Sequence, residues 1–215
     1  MGQKYLFRVR EGFTLIEILV VISIIGVLAA IILPALAGVM EHSKITSGIN
    51  EIRQLEAALA SYESAHRDYP PSRLSELGIV GNRTNEGNES LLICLTTENE
   101  GPFWEIREDQ LGNTDGDLAP RLLSTYNQST IRTRDLYELL DPWGHPYVYV
   151  HAKELATGYA VTYFAEGQNQ PVEPIREGEK AGITPGEGKY QIWSFGPNGI
   201  NDLGREDDLV SWKGR

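Results

Sequence analysis

The sequence predicts an α+β chain: a long N-terminal α-helix, apolar in its first half, packed on a small antiparallel β-sheet head. Three observations carry that prediction. Phe13 to Met40 reads FTLIEILVVISIIGVLAAIILPALAGVM, with Glu17 as its one charge. Beyond it, Ile45, Ile49, Ile52, Leu55, Leu59 and Tyr62 recur at three- and four-residue steps, one face of a helix. After Pro146, three runs rich in Tyr, Val, Trp and Phe lie between turn residues and read as strands.

The formal charge of -11 over 215 residues hides strongly unequal regions. Residues 1–12 hold Lys4, Arg8 and Arg10 against Glu11, whereas residues 41–215 hold 16 basic and 28 acidic groups. So acidic a bulk argues against gripping a nucleic-acid backbone, which takes clustered Lys and Arg to displace counterions. The single cysteine, Cys94, allows neither an intramolecular disulfide nor a Cys-based zinc site or redox pair. It falls on the apolar face of a short helix and reads as a core thiol.

The apolar run decides the membrane question. A hydrocarbon core of about 30 Å takes roughly 20 helical residues, so the segment can span. A cleaved secretory signal has a shorter apolar core, of about 7–15 residues, with a small-residue site after it. A plain signal anchor fits the length and basic flank but gives no reason for Glu17. An ionised side chain at that depth costs on the order of 2–3 kcal/mol and so demands a partner.

The basic leader, then Gly12-Phe13-Thr14-Leu15-Ile16-Glu17, then the long apolar helix resembles the N-terminus of type IV pilins and type II secretion pseudopilins. The resemblance covers about residues 8–40. It implies a pilin-like fold and cleavage after Gly12 by a prepilin peptidase that also methylates the new amine of Phe13. Glycine suits the site because no Cβ obstructs close approach of the peptidase to the backbone. It further implies that Glu17 neutralises the Phe13 amine of a neighbouring subunit, offsetting two charges that are costly alone. Pro34 removes a helix hydrogen bond, so a kink or local melting is expected there, either as a passive bend or as a region that unwinds on assembly.

The helix is expected to end near His66, a surface residue, with Asp68-Tyr69-Pro70-Pro71 marking the stop. In the head, Ser72 to Leu77 reads as a short helix ended by Gly78. Asn88 is expected to cap a helix through Leu95, and Thr133 to Leu140 to form another. Asn113, Asp115 and Asp117 alternate as at the start of an EF-hand loop. The required glycine, however, would fall at Leu118 and the bidentate Glu at Ser124, so an Asp-Gly turn is the better reading.

Strands are expected at 147–150, 159–165 and 190–195, joined as a meander, with 167–189 too long for a hairpin turn and read as an exposed insertion. The run Asp141-Pro142-Trp143-Gly144-His145-Pro146-Tyr147 resembles a motif of the major, G-type, pseudopilins. Its expected role is structural, with Trp143 as a buried plug and the prolines fixing strand entry. Neither His145 nor His151 has metal-ligand spacing to a partner.

From Ser194 to Leu209, glycines and acidic or amide oxygens crowd together, as hard cations with six to eight oxygen ligands require. In major pseudopilins, a loop of this type binds calcium. By that resemblance, the side chains of Asn198, Asp207 and Asp208 and the carbonyls of Phe195 and Ile200 are the expected ligands. Two departures matter. Asn198 stands where an acidic residue is usual, and the longer stretch before the acidic pair allows Asp202 to substitute. A solvated acidic loop is the alternative.

The expected organisation is therefore a leader (1–12), a transmembrane and assembly half-helix (13–40), an amphipathic half (41–68), an αβ head (69–193) and a calcium-type loop (194–215). The resemblance implies a non-enzymatic subunit of a periplasmic pseudopilus: single-pass in the inner membrane, N-terminus cytoplasmic before cleavage, head in the periplasm. Its implied partners are the prepilin peptidase/N-methyltransferase, further copies of itself, minor pseudopilins and the inner-membrane secretion platform, with no nucleic acid. Two alternatives stay open: a surface type IV pilin for adhesion, motility or DNA uptake, and a membrane-anchored module that holds a ligand through 79–130 and 167–189.

Overall fold

The computed structural model describes residues 13–96, 102–105, 107–120, 134–176, 184–186 and 188–212. The chain divides between His42 and Ser43 into two units.

In the first unit the apolar run is helical from Leu15, the start of helix α1 (Leu15–His66). Its large apolar side chains from Phe13 to Met40 are between 48% and 92% exposed, so nothing in this unit covers them. The helix is long and apolar enough to cross a membrane. It continues through Pro34 rather than melting there, since one lost hydrogen bond leaves the flanking turns intact.

In the second unit α1 supplies one wall of the core. Ile52, Leu55, Ala58 and Leu59 are buried with Leu74, Leu91, Leu92 and Leu95. The buried stripe is rotated from the one expected: Ile49 is 37% exposed, whereas Gly48 and Glu51 turn inward. Gly48 packs closely here: a Cβ there would stand 2.7 Å from Leu209 Cδ1, the end of a flexible side chain. After His66, which is exposed and stacks on Tyr62, Arg67 turns left-handed and its amide closes on the Glu63 carbonyl at 2.7 Å. A single 3-10 turn, Leu74–Leu77, ends at left-handed Gly78 as expected.

Helix α2 (Glu86–Thr96) is buried throughout, and Cys94 lies in its apolar surroundings with its thiol raised to about 11 by burial. Asn88 does not cap it. Asn85 precedes the first turn, while Asn88 is buried inside the helix and holds the chain beyond it: its Nδ2 donates to the Leu139 and Tyr147 carbonyls (3.0 and 2.6 Å), and its Oδ1 accepts the Leu139 amide (2.6 Å). That grip also explains why the helix expected over 133–140 is absent from its described part. Glu138–Leu139 is a strand, β2, paired antiparallel with β1 (Leu111–Gly112), and Asp135 bridges Leu118. Buried Leu136 and Leu139 find the core from extended chain, so tertiary packing overrides a helical spacing.

The remaining strands do not form one meander. β3 (Val148–His151) pairs with β6 (Tyr190–Ser194), which pairs in turn with β7 (Leu209–Val210). β4 (Val161–Ala165) and β5 (Gln168–Val172) form a separate hairpin. Its turn residues, Glu166 and Gly167, both have positive φ (50° and 73°), the conformation that tight two-residue hairpins use. The supposed insertion therefore opens with a strand. Gln168-Asn169-Gln170-Pro171-Val172 lacks apolar alternation, and its proline is tolerated on an edge strand.

β6 is buried on both faces, between two cores. Tyr149, Tyr190 and Ile192 face the core built with α1 and α2. Val148, Val150 and Trp193 face a second core with Tyr159, Val161, Tyr163 and Phe195. This is the period-two alternation of a sheet covered on both sides.

Candidate functional site

The features expected to act lie at the two ends of the chain. Gly12 is outside the described residues, and Phe13 is exposed. Glu17 Oε2 accepts the Thr14 amide and hydroxyl, each at 2.8 Å, and the Glu17 amide donates back to Thr14 Oγ1 at 3.3 Å. This is a capping box, in which two otherwise orphaned helix-start donors are satisfied reciprocally. The Thr14-x-x-Glu17 spacing carries that signal in the sequence, although only an intersubunit role was expected for Glu17. Its Oε1 takes no hydrogen bond among the described residues, so the cap leaves one oxygen for another charge.

The acidic loop hangs from the Asp141 turn. Asp141 Oδ1 accepts the amides of Trp143 and His145, both at 2.9 Å. Its Oδ2 accepts the Ser194 hydroxyl at 2.5 Å, and Ser194 Oγ accepts the Gly196 amide at 2.9 Å. The Asp-Pro-Trp-Gly-His-Pro run thus anchors the start of the loop. Trp143 itself is only half-buried, not a plug, and what fixes its turn is the Asp141 carboxylate. His145 and His151 make hydrogen bonds to carboxylates instead, His145 Nε2 with Glu166 at 3.0 Å and His151 Nε2 with Asp68 at 3.1 Å.

Within the loop, Asn198, Asp202 and Asp207 come together. Asn198 Nδ2 donates to Asp207 Oδ1 at 2.7 Å and Asp202 Oδ2 at 3.2 Å, and its amide donates to Asp207 Oδ2 at 3.2 Å. Asp208 is 3% exposed: its Oδ2 accepts the Gly204 amide at 2.7 Å, while its buried Oδ1 has no partner. Burial, reinforced by the charges of Asp202 and Asp207, raises Asp208 to about 7. Gly196, at φ +62°, lets the two arms close, since a Cβ would stand 2.3 Å from the Asp207 carbonyl oxygen. Phe195 is buried at the loop's root; Ile200 is exposed, and its amide donates to Asn198 Oδ1 at 2.6 Å.

The donor set fits a hard cation: an orphaned buried carboxylate oxygen beside repelling carboxylates, all ligands oxygen. In this conformation the Asn198 NH2 group occupies the place between Asp202 and Asp207. A cation there requires that side chain to turn and present its oxygen.

Residues outside the expected set also hold the loop. Gln170 Nε2 donates to the Gly199 carbonyl at 2.5 Å, and its Oε1 accepts the Asn201 amide at 2.7 Å. Asn201 Oδ1 accepts the indole of Trp193 at 3.2 Å. The Gln170 contacts are hidden in the sequence because the polar run of β5 carries no strand signal.

Comparison with known proteins bears on both ends. The model of the prokaryotic N-terminal methylation motif matches residues 7–33. The type II secretion system core protein G of Pectobacterium carotovorum subsp. carotovorum is 43% identical over 204 residues, 94% of this chain and 85% of that one. The chain belongs to the type II secretion system core protein G family. Within that family, the Escherichia coli (strain K12) protein is 33% identical across 67% of this chain and 74% of its own, and the Aeromonas hydrophila protein 40% identical across 65% and 72%. No solved structure matches the chain. The major-pseudopilin resemblance of the N-terminus and of the Asp141 turn is thus matched by similarity along nearly the whole chain.

Proposed function

We propose that this chain is a structural subunit of the pseudopilus of a type II protein secretion system, cleaved after Gly12, N-methylated at Phe13 and assembled through its apolar helix. The similarity to core protein G over 94% of the chain carries the reading. The methylation motif, running straight into a helix able to span a bilayer, supports it. The subunit would sit single-pass in the inner membrane with its head in the periplasm. Prepilin peptidase would process it, and minor pseudopilins and the inner-membrane platform would be its assembly partners.

The exposed apolar helix needs a covering, lipid before assembly and neighbouring helices after it. Glu17, capped by Thr14 through one oxygen, has the other for the Phe13 amine of the next subunit. For the C-terminal loop, the reading includes calcium, held by the carboxylates of Asp202, Asp207 and Asp208, by the Asn198 amide oxygen once turned, and by the carbonyls of Phe195 and Ile200. The ion would supply charge neutralisation and a crosslink between the loop's arms. The chain's own residues do the rest: Asp141 and Gln170 fix the loop, and Gly196 allows its closure. The test is deletion of the gene. Loss of protein export, restored by the wild-type gene, is expected; intact export with loss of surface fibres would overturn the reading in favour of a surface pilin.

A further inference from the structure

Four carboxylates converge in the head on residues that the C-terminal loop does not use. Glu89 comes from α2, Asp115 and Asp117 from the turn after β1, and Glu138 from β2. One oxygen each of Glu89, Asp115 and Glu138 lie within 4.8 Å of one another. That separation is about twice a calcium–oxygen distance, so one ion could touch all three. Asp117 lies beside Glu89 in the same group.

The independent observation is Glu89 itself. It is fully buried, it points into the group, and neither of its carboxylate oxygens has a hydrogen-bond partner. Both Asp117 oxygens and Asn113 Oδ1 are likewise buried and unpartnered. No ion pair among the described residues involves any of the four acids. Burying the Glu89 and Asp117 carboxylates with no donor to either is costly, and an ion removes that cost.

The surroundings preorganise the group. Glu138 is held by Asn85 Nδ2 and the Thr114 amide, each at 2.8 Å. Asp115 is held by Asn82 Nδ2 at 3.0 Å and the Asp117 amide at 3.2 Å. Asn113 Nδ2 donates to the Asp117 carbonyl at 2.8 Å, which shapes the turn. Each Glu138 oxygen accepts one bond and keeps a lone pair free for a ligand role. We propose that Glu89, Asp115, Asp117 and Glu138 form a divalent-cation site of calcium type within the head. Oxygen-only donors and an irregular, carboxylate-rich arrangement favour a hard ion over zinc or copper. The Asn113–Asp117 alternation thus contributes ligands, with α2 and β2 supplying what an EF-hand takes from its own downstream positions. The ion would pin the two-residue strands β1 and β2 to α2, where ladder hydrogen bonds are few.

The test is calcium titration calorimetry on the full chain in detergent micelles after chelation. Wild type should bind two ions per chain, Glu89→Gln one, Asp207→Asn one, and the double variant none. Asp117→Asn, at a half-exposed residue, should also bind one and answers the case in which Glu89→Gln does not fold. A wild-type ion lost in Glu89→Gln but kept in Asp207→Asn supports this site and removes calcium from the loop. A folded Asp117→Asn or Glu89→Gln protein with wild-type stoichiometry overturns the proposal and leaves protons shared among the acids. A single wild-type ion that vanishes in Asp207→Asn overturns it equally.

Discussion

The hydroxyl of Tyr147 donates a 2.8 Å hydrogen bond to Glu51 Oε2, joining the strand entry after the Asp141 turn to the buried stripe of α1. Ser47 Oγ serves the other oxygen at 3.1 Å. Burial is the main reason the Tyr147 phenol is raised well above its ordinary value, with Glu51 adding to it, so the phenol stays the donor. Tyr147→Phe would leave a carboxylate oxygen of Glu51 without its partner. A loss of about 1–3 kcal/mol is expected in denaturant unfolding of the full chain in detergent. An unchanged midpoint would mean that water replaces the hydroxyl freely.

Gly48 tests how closely α1 is packed. Gly48→Ala should be near neutral, because the Cβ meets only the end of the Leu209 side chain, and alanine gains up to about 1 kcal/mol of helix propensity. Gly48→Leu must also displace Pro142, whose Cδ lies 3.6 Å from the same point, and should cost about 1–3 kcal/mol. Thermal unfolding of the two variants side by side reads the difference.

At the N-terminus the cap and the charge of Glu17 can be separated. Glu17→Ala should still be cleaved after Gly12 yet fail to assemble. Glu17→Gln keeps a capping side chain and loses the charge. If the carboxylate pairs with a neighbour's amine, the glutamine variant is cleaved and fails as well. Normal fibres from it would assign Glu17 to capping alone. Immunoblotting for processing and electron microscopy for fibres provide the readouts.

Calcium in the C-terminal loop has a thermal signature. An ion at 100 times its dissociation constant, bound only to folded protein, adds about 2.7 kcal/mol. At roughly 2–4 °C per kcal/mol, that is a rise of several degrees over the chelated protein. Asp207→Asn should remove the loop's share, and so should Gly196→Ala, whose Cβ would strike the Asp207 carbonyl from a left-handed backbone. Equal shifts in wild type and both variants would take calcium out of this loop.

His145 predicts a pH dependence. The Asp141 carboxylate, 3.7 Å from Nδ1, is the main reason its pKa is raised, with Glu166 adding to it against the opposing effect of burial. A raised folded-state value means that the protonated ring favours folding. Its contribution is complete below the ordinary histidine value of about 6.5 and is lost as pH rises through the folded-state value. Melting temperature should fall over that window in wild type and fall less in His145→Gln. Parallel curves would remove His145 from the account.

What the sequence determined by itself is what near neighbours encode. The leader, the spanning run, the Gly12-Phe13…Glu17 signature and the stop at His66 rest on composition and on spacings of a few residues. The clustering of Asn198, Asp202 and Asp207 was also legible, because the glycines and acids that form it lie in one loop. Tertiary structure decided what depends on distant partners. Glu51 faces inward because Tyr147 meets it there, although its own neighbours place it on the polar side. Asn88 holds Leu139 rather than capping a helix, and residues 138–139 become a strand for the same reason. Gln168 to Val172 pairs with β4 through a turn whose positive φ values no apolar pattern announces. Glu89, Asp115 and Glu138 span fifty positions in the chain, and only tertiary packing, with α2 set against β2, brings one oxygen of each within 4.8 Å of the others.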